Sequence, residues 1–191
     1  SQLAFADTVK VTPLGSYDGE FCRLDRALVF EDPDGTRILY DAGRTVAGKD
    51  DPRLGKIDAI LVSHVHGDHL GDKHIATTNL GSCDQPVFGV SATPESNSVN
   101  IAIAKQADII TGSEMPAFFA KQLTKAGGDP KKSRLVRFGA MVNKGGVSIT
   151  TVPAVHSNGL SPAFIGGHYG EHLEEAGVTA YVGPPTGYIL K

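Results

Sequence analysis

The sequence lacks three features that would settle its class at once. It has no apolar run near the roughly 18 residues that a membrane-spanning helix needs. It has no basic stripe: 18 lysines and arginines are scattered among 21 acidic residues, for a net charge of -3. Such a balance argues against binding a phosphate backbone, and with it against nucleic acid as a partner. It has no internal repeat and no low-complexity tract. Cysteine is also scarce, with Cys22 and Cys83 the only two in 191 residues, so at most one bridge can form. What remains is an ordinary globular composition, 40% hydrophobic and 20% charged, enough for a sizeable core in one domain. Gly at 23 and Pro at 11 favour short strands and many turns over a helical bundle.

Several segments declare their structure. Val9 to Thr12 alternates and stops at Pro13, as a short strand does. Ala27 to Glu31 and Thr36 to Asp41 read as a hairpin over Asp32-Pro33-Asp34-Gly35, where Pro presets φ and Gly accepts φ > 0. Residues 42–56 show no period and read as loop. Ile57 to Ser63 is a continuous apolar run, expected to be a strand buried on both faces. Pro86 to Val90 reads as a strand and Ser98 to Ala107 as a helix. Ser113 reads as the N-cap of a second helix, with Glu114 in its first turn and Phe118, Phe119 and Leu123 on its core face. Leu135 to Phe138 and Val147 to Val152 are expected as strands joined through the turn at Asn143 to Gly146. After His156 a Gly-rich, loop-like stretch runs to Gly177. Thr179 to Val182 and Gly187 to Leu190 read as a final hairpin over Pro184-Pro185-Thr186.

Histidine is where the sequence becomes specific. The chain has 7, and four of them fall between His64 and His74. The stretch "ILVSHVHGDHLGD" runs from an apolar strand straight into His64, His66, Asp68 and His69. On an extended segment positions i and i+2 face the same side, so His64 and His66 can meet on one ion. Asp68 and His69 follow Gly67, where the chain can turn and aim them at a neighbouring point. The pattern suits two metal ions. Zinc takes imidazole nitrogen and carboxylate oxygen at about 2.0–2.2 Å, and a catalytic zinc keeps one position open. His156, just past the strand in "TTVPAVHSN", is the best third ligand for the first ion. An unliganded cluster of this kind would be costly to desolvate. His74 is expected on the solvent side of a short helix. His168, Tyr169 and His172 in "GGHYGEH" are candidates for a flexible substrate loop, against the blander reading of a solvated loop.

With "ILYDAG", "SHVHGDHLGD" and "VPAVHSN", the chain resembles the metallo-β-lactamase-fold metal-dependent hydrolases, and most closely their ascorbate-phosphate lactonase-like branch. The resemblance implies an α/β (α+β) fold, an αββα sandwich. It implies His64, His66 and His156 on the first metal, Asp68 and His69 on the second, and Asp41 as an acid that supports the motif loop. It implies two Zn2+, with Mn2+ or Fe as substitutes. A metal-bound hydroxide would attack an ester, lactone, amide or phosphoester of a small molecule, with Asp68 handling the nucleophile's proton. The family also supplies a bridging Asp and a last His, and no residue in 157–191 matches them. Residues 1–191 are therefore expected to be one domain, C-terminally incomplete, completed by the C-terminal half of the same protein or by a second chain. The alternative is a non-catalytic metal-binding module of the same fold. No nucleic-acid or membrane partner is expected.

Ala4-Phe5-Ala6 before Asp7 reads as the small-x-small end of a secretory signal, which implies a periplasmic or secreted protein and otherwise a cytoplasmic one. Export would place Cys22 and Cys83 where they can bridge. Alkylation without reductant, read by intact mass, should then leave both thiols unlabelled; two labelled cysteines would exclude the bridge.

Overall fold

A computed structural model describes residues 8–17, 20–22, 25–78, 90–91 and 95–191. In chain order its elements are β1 (Lys10–Pro13), β2 (Ser16–Tyr17), β3 (Glu20–Phe21), β4 (Leu28–Glu31), β5 (Arg37–Tyr40), β6 (Ala59–Leu61), α1 (Gly67–Leu70), β7 (Lys73–His74), β8 (Val90–Ser91), α2 (Asn97–Lys105), β9 (Asp108–Thr111), α3 (Met115–Lys125), β10 (Ser133–Leu135), β11 (Met141–Lys144), β12 (Val147–Pro153), β13 (Gly159–Leu160), α4 (Gly167–Glu175), β14 (Ala180–Tyr181) and β15 (Thr186–Leu190). Six strands form the main sheet in the order β1-β4-β5-β6-β9-β10, and β11-β12-β15 form a second sheet. The first three strands of the main sheet are antiparallel, and β5, β6, β9 and β10 run parallel.

The middle strands read as continuous apolar runs because both their faces are covered. In β6, Ile60 faces a core shared with Phe119, Leu123 and Val99 of the helices. Its neighbours Ala59 and Leu61 face the other way, onto Val147 and Ile149 of the second sheet. Leu39 and Ile38 of β5 divide in the same manner, as do Ile109 and Ile110 of β9. This is strand alternation applied three times in register, and it produces a helix–sheet–sheet stack. All of these side chains are essentially buried. Truncating one such residue to Ala typically costs about 2–5 kcal/mol. No helix among the described residues is long and apolar enough to cross a membrane.

The β4–β5 hairpin forms as its sequence demands, with Gly35 at φ 85° and Gly35 N–H donating to Asp32 C=O at 2.8 Å. Helix α2 is capped by Ser96, whose side chain accepts from Val99 N–H. Five expectations fail, the first being the loop-like reading of the stretch up to Gly177, which contains α4 (Gly167–Glu175). Ser113 does not cap α3; it sits at φ 57° one residue earlier, and Glu114 occupies the N-cap without a side-chain bond. The turn at Gly145-Gly146 joins β12 to β11, not to Leu135–Phe138; Leu135 instead ends β10, parallel to β9. The final hairpin does not form, since β14 pairs with β13 and β15 pairs with β12. His74 is not on a solvated helix; it lies in β7, 6% exposed. For the strands a long-range partner outweighs the local signal, which short segments cannot reveal. Of the expected strand at Pro86 to Val90, only Val90 lies within the described residues, and so does Cys22, which is buried, but not Cys83.

One buried acid makes the fold sensitive to pH. Asp25 is fully buried. Its Oδ1 accepts from Ala27 N–H at 2.8 Å, and Thr45 donates its hydroxyl to Oδ2. Desolvation raises this carboxyl from 3.8 to about 6. Because the folded value lies above the unfolded one, the contribution is complete below about pH 4 and is lost as pH rises through 6, up to about 3 kcal/mol. Chemical denaturation of Asp25→Asn and the parent from pH 4 to 7.5 should therefore give stability profiles whose difference changes across that window; parallel profiles would contradict it.

Candidate metal centre

The histidine motif begins where β6 ends. Parallel strands deliver their loops to one edge of a sheet, and side chains at the carboxyl ends converge there. Asp41 follows β5 and Ser63 follows β6, joined by Asp41 N–H to Leu61 C=O at 2.9 Å. Asp41 is fully buried and at φ 45°, a left-handed conformation that Asp tolerates better than most residues. Its carboxylate organises the loop. Oδ1 accepts from Ser63 N–H at 2.8 Å, and Oδ2 accepts from Ser63 Oγ at 2.7 Å and from His69 Nδ1 at 2.6 Å.

These bonds assign the ring protons. A carboxylate only accepts, so His69 carries a proton on Nδ1, which in the neutral ring leaves Nε2 as a lone pair. Ser63 gives its one proton to Asp41. It must therefore accept from His64 Nδ1, 2.9 Å away, and His64 Nε2 is also a lone pair. That Nε2 is buried and has no hydrogen-bond partner. Burial, and then the neighbouring imidazoles of His69, His66 and His156, push His64 down to about 3. Burial lowers His66 as well, ahead of His156. Neutral rings are the form that binds metals.

The structure brings His64, His66 and His156 together. One ligand atom from each lies within 4.8 Å of the others, grading from buried His64 to exposed His156. Ring centroids are 4.5 Å apart for His64–His66, 4.6 Å for His64–His156 and 5.3 Å for His66–His156. An orphaned buried nitrogen facing two more imidazoles fits a divalent ion with nitrogen ligands. His69 stands beside them, its ring 4.0 Å from that of His64. Asp68 Oδ2 lies 3.5 Å from His69 Nε2, a separation that two ligands of one ion can share. The turn that aims them is α1. Gly67 starts it, and what it supplies is room: a Cβ there would lie 2.1 Å from Arg44 Nη2. Gly71 closes the helix at φ 69°.

Other candidates fall elsewhere. His168 and His172 lie on helix α4, not on a loop, and pair with Glu171 and Glu175 on its surface. Glu174 belongs to the same helix. Tyr169 is exposed there. Exposed pairs of this kind contribute little. Phe119 is core, and Phe118 packs against its edge. Two residues of the centre escape a reading of the motif. Ser63 was visible only as the residue before His64, and Asn158 only as the second residue after His156. Asn158 is buried and accepts from Val65 N–H at 2.9 Å.

No family model matches the chain. It is similar to a UPF0173 metal-dependent hydrolase of Koribacter versatilis, 25% identical over 162 residues, covering 83% of this chain and 51% of the relative. Among solved structures it is similar to the metallo-β-lactamase fold protein YhfI from Bacillus subtilis, with a TM-score of 0.44, 20% identity and coverage of 79% and 54%. It is also similar to ST1585, an archaeal metallo-β-lactamase superfamily protein from Sulfolobus tokodaii, with a TM-score of 0.41, 14% identity and coverage of 97% and 61%. The chain thus spans about half the length of the curated relative it matches. Its helices, six-stranded sheet and three-stranded sheet form stacked layers, with the histidines gathered past the ends of β6 and β12.

Proposed function

We propose that the chain is the part of a metal-dependent hydrolase that carries the first metal site and half of the second. The observation behind this reading is His64. Its Nε2 is buried, proton-free and unpartnered, and it faces His66 and His156. The similarity to a relative named as a metal-dependent hydrolase supports it. His64, His66 and His156 would hold one ion, and Asp68 and His69 would begin a second site. A bridging Asp and a last His would come from the remainder of the protein or from a partner chain. Zinc is the ion proposed, with manganese or iron as substitutes.

A divalent ion held there would lower the pKa of a bound water toward 7 and polarise the oxygen under attack. The chain's own residues do the rest. Asp41 and Ser63 hold the protons of His69 and His64 on Nδ1, so that both Nε2 atoms stay available. Asp68, partly exposed at the first turn of α1, would accept or orient a proton from the nucleophile. His156 is exposed, so the cluster opens to solvent on its side and leaves a small-molecule ester, lactone, amide or phosphoester a way in. Export to the periplasm or beyond is proposed alongside.

A second reading is a module that binds one ion and turns nothing over. It draws on the fact that the three-histidine set is the only such group of three or more among the described residues. Metal content separates the two. After zinc loading and gel filtration, the parent chain should hold at least one ion, and His66→Ala and His156→Ala should lose it. In the complete protein the hydrolase reading requires two ions and turnover of an activated ester, with Asp68→Ala losing the second ion and the turnover. Full zinc retention by His66→Ala would end the ligand assignment.

A further inference from the structure

Three imidazoles do not attract one another. Without an ion, nothing in the rings holds the His64–His66 loop to the loop that bears His156. A site that binds tightly needs these loops set beforehand, because ordering them on binding would subtract from affinity. The tether must therefore come from groups other than the ligands.

Asn158 supplies one. Val65 lies between His64 and His66, and Asn158 is the second residue past His156. Asn158 Oδ1 accepts from Val65 N–H at 2.9 Å across 93 positions of sequence. Its Nδ2 donates to Gly183 C=O at 2.9 Å, and its own C=O accepts from Val182 N–H at 3.2 Å. The residue is 1% exposed, so water does not replace these bonds. The amide can face only one way, since an N–H needs an acceptor and a carbonyl needs a donor. Gly183 is itself fixed: at φ 84° a Cβ would meet Ser113 Oγ at 1.7 Å. Among the described residues, no other side chain forms a hydrogen bond between the two ligand-bearing loops.

We propose that Asn158 is a positioning residue of the metal centre, whose amide clamps the His64–His66 loop to the His156 loop and sets the three imidazoles at ligating distance before the ion arrives. The proposal rests on the three-histidine site proposed above. Replacing Asn158 by Ala leaves Val65 N–H and Gly183 C=O buried without partners and frees the loops to part.

The test compares the parent chain with Asn158→Ala and with Ile101→Val, a core change in the helical layer. Zinc affinity is read by competition with a chromophoric chelator, stability by thermal unfolding, and amide exchange by NMR. Asn158→Ala should bind zinc about tenfold to a hundredfold more weakly, while Ile101→Val keeps parental affinity despite a lower melting temperature. The Val65 amide should exchange slowly in the metal-free parent and fast in Asn158→Ala, with Ile60 and Ile109 still protected in both. Parental zinc affinity in a folded Asn158→Ala chain would overturn the proposal. If that variant does not fold, the parent alone decides: zinc must slow exchange at Val65 N–H and at the Asn158 side-chain amide, and unchanged exchange at saturation overturns it. A parent chain that takes up no zinc defeats the ligand assignment instead. The clamp is then judged by Val65 exchange, where fast exchange in the metal-free parent overturns it and slow exchange supports it.

Discussion

The centre depends on one buried carboxylate. Asp41 accepts three hydrogen bonds, two from Ser63 and one from His69, and it does so from a backbone conformation that few residues adopt readily. A charge buried this deeply persists only where donors surround it. Its demand for donors fixes the residue before the motif and the last residue of the motif at once. Through Ser63 it reaches His64 as well. The direction of every proton in this network follows from the fact that a carboxylate cannot donate. The Nε2 atoms of two rings are thereby left free by a group that touches neither of them.

Much of this was legible in the sequence. The pattern from His64 to His69 pointed to metal ligands, and the structure gathers two of its histidines, His64 and His66, with His156. The strand before it was legible because its residues are apolar on both faces, and the structure shows why: Ile60 and Leu61 belong to different cores. Asp41 could be picked out by resemblance alone; nothing in "ILYDAG" states that its side chain will bond Ser63 and His69 past the end of β6. The elements misread were those whose pairing is decided far away in sequence. Leu135 and Tyr181 looked like hairpin residues because turn signals sat nearby, yet β10 pairs with β9 and β14 with β13. The helix at Gly167–Glu175 was hidden by glycines at its start, although its i,i+3 His–Glu pairs were in plain view.

Asn158 shows the limit of motif reading most plainly. Its value lies in a contact to Val65, and neither residue is unusual where it stands. Polar side chains that bond to backbone carry no spacing signature across such a separation. They become visible only as buried amides with both ends occupied.

The helix–sheet–sheet stack has a consequence for how such a protein could change over time. The imidazoles of His64 and His66 hang from a strand wedged between two cores, so their placement is inherited from the densest part of the molecule. Beside His156, by contrast, Val155 is fully exposed at a loop end. Substitution at such an exposed position leaves the buried support of His64 and His66 untouched. The fold thus separates a surface free to vary from an interior that holds two imidazoles in place.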